Sequence, residues 1–241
     1  MPRKFTAVFL LLLLAVPSAF AGLTENFDDV SLLPGGGWAL INRSSPAGTT
    51  GWFQGDSGIF PSQAGAGKSY IAANFNNAAF GGNISNWLLT PEVTLTNGDS
   101  ISFYTRTEKP AFLADRLELR YSTAGASTNV GLTAASIGDF GNLLLTVNPS
   151  LSPSGYPDDW TLFSATLSGL GGPATGRYAF RYLVPDTSVN ADFIGIDTLS
   201  VGPSGVPEPA SAGLLVLGIG ALALARSRSR SKQISPNREV L

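Results

Sequence analysis

The chain of 241 residues contains no cysteine and no histidine. The lack of cysteine excludes disulfides, a thiolate nucleophile and cysteine-based zinc or iron–sulfur sites. The lack of histidine removes the commonest general base and the Ser-His-Asp triad. Charged residues make up only 13% of the chain, which argues against a coiled coil and against a nucleic-acid-binding protein. Glycine and proline are abundant, with 28 and 16 residues, so the composition favours a turn-rich β protein or a membrane-associated one.

The charges that are present are unevenly distributed along the chain. Residues 22–205 hold 8 basic and 15 acidic residues, whereas the two ends together hold 7 basic and 2 acidic residues. An acidic middle flanked by basic ends indicates segments that reside in different compartments. The acidic middle also excludes nucleic acid as an expected partner, because phosphates would repel it.

The first 21 residues have the pattern of a secretory signal peptide. Arg3 and Lys4 precede an apolar run over 5–16, and the small residues Ala19 and Ala21 follow at the spacing of a cleavage site. The apolar run is too short for an ordinary membrane span. We therefore expect cleavage after Ala21 and export of the segment that follows.

The run 210–225 near the C-terminus is apolar and carries no charge. As a helix it would be about 24 Å long, slightly short of a hydrocarbon core of about 30 Å, and long basic side chains would make up the difference. The tail 226–241 supplies such side chains at Arg226, Arg228, Arg230 and Lys232. Because Lys and Arg favour the cytoplasmic side, we expect a single transmembrane helix with a basic cytoplasmic tail.

The order of features at this end resembles the PEP-CTERM sorting signal. Val206-Pro207-Glu208-Pro209 precedes the apolar run and the arginines, so the resemblance covers 206–241 with the PEP motif at 207–209. It implies processing by exosortase, a membrane-embedded transpeptidase-like enzyme of Gram-negative bacteria that make exopolysaccharide. The two prolines would keep the motif extended and accessible. The tail departs from the pattern in alternating Ser with Arg and continuing to Leu241; the alternative is a plain C-terminal anchor.

Residues 22–205 show the alternation of apolar and polar residues that is typical of β-strands. The clearest strands are 101–106, 116–121 and 177–182, each with one apolar face and one polar face that would be solvated. Further strands are expected at 23–27, 38–42, 70–74, 85–89, 92–95, 143–148, 160–167 and 192–201, with Gly-, Pro- and Asn-rich turns between them. About eleven short strands predict one all-β domain, an antiparallel two-sheet β-sandwich, of which 123–159 is the least regular part.

The landmarks of this domain are similar to those of the choice-of-anchor J domain, which resembles cleaved-adhesin and MAM-type jelly rolls. They occur in order over most of 23–201: Glu25 to Asp29, Gly37-Trp38, Gly51-Trp52-Phe53, Asn86 to Pro91, and Phe193 to Asp197. The resemblance implies a jelly-roll-type β-sandwich that works on cell surfaces. It implies no particular ligand.

Two kinds of binding site are considered. Calcium takes oxygen ligands, and Asp28-Asp29 after the first strand would meet Asp192 and Asp197 at the last strand if those strands are neighbours. Related adhesin-type jelly rolls can bind calcium; the alternative is that these are hydrogen-bonded structural carboxylates. Sugars stack on aromatic rings, and Trp52-Phe53 between Gly-rich segments is the best candidate for an exposed pair. Trp38 and Trp87 are expected in the core.

Paired carboxylates could also cleave glycosides without histidine. Asp115 and Glu118 would point to opposite faces of a strand, and the adjacent Asp158 and Asp159 would also diverge, so no enzyme activity is expected. The sequence thus predicts an exported, exosortase-sorted surface or matrix protein with an adhesin-like binding or structural role in exopolysaccharide or biofilm. The alternative is a lectin-like carbohydrate-binding module, ahead of a glycoside hydrolase.

Overall fold

The structure is a computed structural model that describes residues 22–203. The predicted signal peptide with Ala19 and Ala21, the PEP motif, and the basic tail with Arg226 lie outside the described residues. Within 22–203 there is no helix of the length and apolarity that crossing a membrane requires. The helix predicted at 210–225 falls beyond this range.

The described residues form an antiparallel two-sheet β-sandwich, as the sequence predicts. The strands are β1 (Leu23–Glu25), β2 (Ala39–Asn42), β3 (Ser45–Ala47), β4 (Phe53–Gln54), β5 (Ile71–Asn74), β6 (Ala78–Leu89), β7 (Val93–Leu95), β8 (Asp99–Thr107), β9 (Leu117–Ser122), β10 (Asn142–Val147), β11 (Thr161–Thr166), β12 (Ala174–Val184) and β13 (Phe193–Pro203). Short 3₁₀ helices occupy Val30–Gly36 and Phe75–Asn77.

Sheet A has the strand order β11-β8-β13-β5-β4, with β1 paired to β13, and sheet B has the order β10-β9-β12-β6-β2. The short strands β3 and β7 pair with β6 and β12 at the margin of sheet B. The first and last strands are neighbours, since Leu23 lies opposite Val201. The spatial premise of the calcium hypothesis is therefore met for the strands themselves.

The space between the sheets is filled by the apolar residues that alternate along each strand. On β8, Ile101 and Phe103 are fully buried, and the Phe103 ring meets that of Phe180 on β12 edge to face at 4.8 Å. Burial of one such side chain contributes about 1.5–3 kcal/mol. Trp38 also lies in this core, and its ring contacts Phe27 at 5.7 Å, as expected for a core tryptophan.

The predicted strands are found to within a few residues, but β3, β4 and the first half of β6 are not anticipated by the sequence pattern. The turn expected at Gly81-Gly82 instead lies within β6, where Gly81 adopts a φ of +76°. The pairing of β3 with β6 is irregular between Ser45 and Ala47. A glycine with positive φ beside an irregular ladder is typical of a bulge, which a period-two pattern does not reveal.

The two ends of the sandwich differ. The described chain begins at Gly22 and ends at Pro203 at one end, where a Cβ on Gly202 would lie 3.9 Å from the Cα of Gly22. The strand register places a set of connections at the opposite end, which we call the loop end. It consists of residues 43–52, 75–83, 108–116, 148–160 and 185–192.

Candidate functional site

Aromatic side chains cover the outer face of sheet A around β4 and β5, whereas Leu162 and Ser164 on β11 are exposed. The connection between β4 and β5 brings Phe60 over Tyr70 at 5.0 Å, and the Trp160 ring meets both rings at 5.6 Å. The Arg106 guanidinium lies 4.5 Å from the centre of the Phe60 ring, a cation–π contact. This part of the face is therefore packed and offers no platform for a ligand.

The outer face of sheet B is covered as well. The segment between β9 and β10 packs Val130 and Phe140 against Trp87 and Leu89, forming a second cluster of fully or nearly fully buried residues. Trp87 is thus buried, as expected, but in this outer layer and not between the sheets. The expectation that β9 and β12 have a solvated outer face is wrong, because the irregular segment 123–141 folds over it.

Buried charges tie this covering segment to sheet B. The Glu118 carboxylate accepts hydrogen bonds from Arg120 at 2.8 Å and from Arg181 at 3.4 Å. The same guanidinium groups donate to main-chain carbonyls of the covering segment, Arg120 to Phe140 and Arg181 to Ala134. Burial lowers the pKa of Arg181, which the Glu118 carboxylate opposes. These charges are mutually compensated, so their role is structural.

The predicted sugar-binding pair Trp52-Phe53 is not an exposed pair. Trp52 is 6% exposed and belongs to the core between the sheets, and its buried Nε1 has no hydrogen-bond partner within the described residues. Phe53 is half-buried against Phe193, with ring centres 5.8 Å apart. The expectation fails because neighbouring residues of a strand point to opposite faces, and here both faces of the sheet are covered.

The four aspartates considered for calcium have separate structural roles. Asp29 accepts hydrogen bonds from Ser31 at the start of the first 3₁₀ helix, while Asp28 is exposed. Asp197 accepts main-chain N–H bonds from residues 63, 64 and 198, and burial raises its pKa against the lowering effect of these bonds. Asp192 accepts from the main chain of Phe112. No group of three or more acidic residues with the geometry of a metal site occurs within 22–203.

An amide occupies the place near the first strand where main-chain oxygens converge. The Gln54 Nε2 atom donates to the carbonyls of Phe27 at 2.9 Å, Lys68 at 2.6 Å and Tyr70 at 3.3 Å. The orientation of the amide is fixed, because its Oε1 accepts from the main-chain N–H of Val30 at 2.8 Å. The carbonyls thus already have an N–H partner, and the residues here do not fit a calcium ion.

A cluster of carboxyl groups at the loop end was not anticipated from the sequence. A hydrogen bond with Asp192, together with burial, raises the pKa of Glu108 to about 7. Asp115 is fully buried and accepts from the Tyr182 hydroxyl at 2.6 Å and the Thr107 hydroxyl at 2.7 Å, and burial raises its pKa to about 6. Sequence spacing gives no signal for this cluster, because its members come from two connections that are distant in the sequence, 108–116 and 185–192.

Exposed phenyl rings are the other feature of the loop end. Phe80 is 87% exposed and Phe112 is 72% exposed, while Phe75 is about half exposed. Val189, on the connection from β12 to β13, is 60% exposed. These residues are the most accessible large apolar groups that the loop end presents.

No family model matches the chain, and no curated protein matches it. Solved structures with the same fold include the K1 cleaved adhesin domain of Lys-gingipain from Porphyromonas gingivalis, at 18% identity, 76% coverage of this chain, 99% coverage of that chain and a TM-score of 0.52. The K2 cleaved adhesin domain of Lys-gingipain has the same identity and coverage, with a TM-score of 0.54. A family 29 carbohydrate-binding module is 14% identical, with coverage of 78% and 96% and a TM-score of 0.40. The fold is that of the β-sandwich domains found in cleaved adhesins.

Proposed function

We propose that the chain is an exported surface or matrix protein whose β-sandwich is an adhesin-like binding or structural module. The observation that carries this proposal is the fold, which matches cleaved adhesin domains over 99% of their length. The chain crosses repeatedly between sheets A and B, as it does from β11 through β12 to β13, and this supports the finer assignment to the jelly-roll type. The module would act in the exopolysaccharide or biofilm matrix that surrounds the cell.

The geometry of the carboxyl groups favours binding over hydrolysis. A glycoside hydrolase needs two accessible carboxyl groups roughly 5–10 Å apart, with the sugar between them. Glu108 and Asp192 interact with each other, which raises the pKa of Glu108, and Asp115 is fully buried, so these carboxyl groups do not form an accessible pair on either side of a sugar. The non-enzymatic role is therefore preferred to the hydrolase.

Fractionation of native cells tests the binding role. We expect the protein to sediment with the extracellular matrix of the wild-type strain and to be released into the medium by a strain that makes no exopolysaccharide. An equal distribution in the two strains would contradict a role in the polysaccharide matrix.

We also propose that the ends of the chain direct sorting. The support is the order of an export signal, the PEP motif, an apolar run and basic residues in the sequence. Exosortase would cut near Pro207-Glu208-Pro209, so intact-mass spectrometry of the native protein should give a chain that begins at residue 22 and ends near 207–209. A mass that corresponds to 22–241 would contradict exosortase processing and leave a plain membrane anchor.

A lectin-like module is the second candidate. The tryptophans do not support it, since Trp38, Trp52 and Trp87 are buried and Trp160 is half-buried with its Nε1 bonded to Pro61. The observation in its favour is the group of exposed phenyl rings at the loop end.

A further inference from the structure

The coverage of both sheets restricts where a ligand can bind. Aromatic side chains close the outer face of sheet A around β4 and β5, and the segment 123–141 closes the outer face of sheet B around β6, β9 and β12, so these parts of the sheets cannot act as a binding platform. The chain enters and leaves the sandwich at the end opposite the loop end. The loop end is therefore the surface on which connections of different strands meet and remain accessible.

The main chain on both sides of Phe80 is fixed by hydrogen bonds. The Thr187 hydroxyl donates to the carbonyl of Ala79 at 2.8 Å, and the Thr187 N–H donates to the carbonyl of Gly82 at 2.9 Å. A Cβ on Gly82 would lie 3.1 Å from Pro46, so the main chain is closely packed there. The backbone on both sides of Phe80 is thus fixed, while the ring itself stays in water.

Phe112 is held by the same connection from β12 to β13. Its main-chain N–H donates to the Asp192 carboxylate at 3.1 Å, and the neighbouring Ala114 carbonyl accepts from Ala191 at 2.9 Å. One segment, 185–192, therefore braces the main chains that carry both rings. A main chain that is already fixed loses little conformational entropy on binding, which favours recognition.

Polar groups and negative charge surround the rings. Asn83, Asp186 and Ser188 are exposed beside Phe80, and the Asp186 N–H donates to the Asn83 side chain at 3.2 Å. The loop end holds six acidic and three basic residues, of which Asp115 is buried and Asp186 is exposed beside Phe80. The exposed Lys109 is already paired with Asp158 at 3.4 Å and Asp159 at 3.2 Å. An acidic polymer would be repelled here, whereas a neutral or amine-bearing one would not.

We propose that the loop end binds a polysaccharide made of neutral or amine-bearing sugars, with the Phe80 and Phe112 rings against the apolar faces of two sugar units. Asn83 and Asp186 supply oxygens for sugar hydroxyl or ammonium groups. A sugar ammonium would gain further from the ring faces through cation–π attraction. Isolated rings set among hydrogen-bonding groups match a sugar, which alternates apolar faces with hydroxyls, better than they match a continuous apolar protein patch. This inference rests on the proposed binding function and names its ligand class and site.

Isothermal titration calorimetry on the full-length chain tests the proposal. The chain is kept in solution with a polyoxyethylene detergent, which carries no sugar headgroup. The probes are oligomers of glucosamine, of N-acetylglucosamine and of galacturonic acid. We expect binding of at least one of the first two and none of the acidic oligomer. Phe80→Ala and Phe112→Ala should each weaken binding at least about fivefold. Leu132→Ala, which removes a side chain that is 85% exposed outside the loop end, should leave it unchanged.

Retention of the same variants in the matrix of native cells distinguishes an error in the site from an error in the ligand or in the proposed function. If both phenylalanine variants bind the neutral or amine-bearing oligomers as tightly as the wild type, the proposed site is wrong. The carbohydrate-binding function would still hold. A second outcome is that the wild type binds no glycan but is retained in the matrix, while the phenylalanine variants are not retained. This outcome would assign the loop end to a protein partner and overturn the proposed glycan ligand. Absence of both glycan binding and retention would contradict the proposed function itself. Unchanged melting curves of the variants would show that each has folded.

Discussion

At Gly195 three aromatic rings press directly on the backbone of a central strand. A Cβ at this position would lie 2.9 Å from both Trp160 and Tyr70 and 3.0 Å from Phe60. These rings are fixed by their mutual contacts, so they cannot move aside without disturbing the cover of sheet A. The absence of a side chain at Gly195 therefore leaves the space that the three aromatic rings occupy.

Gly195→Ala should therefore lower the free energy of unfolding by about 1–3 kcal/mol, the usual cost of overpacking. Gly35→Ala is the matched control, because a Cβ there would meet no atom within 4 Å. Urea denaturation followed by tryptophan fluorescence measures both. Equal stability of the two variants would show that the aromatic layer is not tightly packed.

Gln54 supports a second prediction at the residue scale, because its side-chain amide donates hydrogen bonds to three main-chain carbonyls. EDTA should leave the melting temperature of the protein unchanged, whereas Gln54→Ala should cost about 1–3 kcal/mol, because the Phe27 carbonyl loses its donor and the Val30 N–H loses its acceptor. Asn76→Ala, an exposed amide, is the control. A clear drop in melting temperature with EDTA would restore the calcium hypothesis.

At the scale of elements, the sequence pattern predicts the strands better than their surroundings. Period-two alternation finds β8, β9 and β12, because an inward apolar face is required whatever covers the other side. The outward Arg120 and Arg181 appear typical of a solvated face, yet they are buried with Glu118. The covering segment 123–141 has no periodicity, so its position depends on long-range contacts that a linear pattern does not contain. The same reason explains why Trp52 was wrongly expected to be exposed and why the Glu108–Asp192 pair was missed.

The buried charges on β9 and β12 should matter more than the exposed ones. Glu118→Gln leaves two buried guanidinium groups without a counter-charge and should cost about 3–5 kcal/mol. It should also make the segment 123–141 sensitive to limited proteolysis. Lys109→Gln, which breaks two exposed pairs, should leave the stability nearly unchanged. Similar small losses in the two variants would mean that the charges on sheet B are hydrated.

The carboxyl cluster between the connections at the loop end predicts a dependence of stability on pH. The folded domain raises the pKa of Glu108 to about 7 and of Asp115 to about 6, from ordinary values of 4.5 and 3.8. Their stabilising contribution is complete below those ordinary values and is lost as pH rises through the folded ones. The melting temperature should thus fall by about 5 °C between pH 5 and pH 8.

Glu108→Gln identifies the source of this pH dependence. The variant keeps a hydrogen-bonding side chain but cannot ionise, so the part of the decline between pH 6 and pH 8 should become smaller. Glu92→Gln, at an exposed position, should follow the wild-type curve. A wild-type melting temperature that rises over this range would contradict the assigned cluster.

At the scale of the whole molecule, the two ends of the sandwich differ: one holds the first and last described residues, and the other is the loop end. Gly22 and Pro203 mark the first, while the braced rings of Phe80 and Phe112 mark the second. The two ends of the described chain thus lie away from the proposed ligand site.

The central claim is that the β-sandwich is exported and the C-terminal tail remains inside, and the lack of cysteine permits a direct measurement. Leu132→Cys and, separately, Ser231→Cys would be introduced into the full chain and expressed in a Gram-negative host without exosortase. A maleimide that cannot cross the inner membrane is then added after permeabilisation of the outer membrane. The account predicts labelling at 132 in intact spheroplasts and labelling at 231 only after lysis. Protection of position 132 until lysis would contradict it.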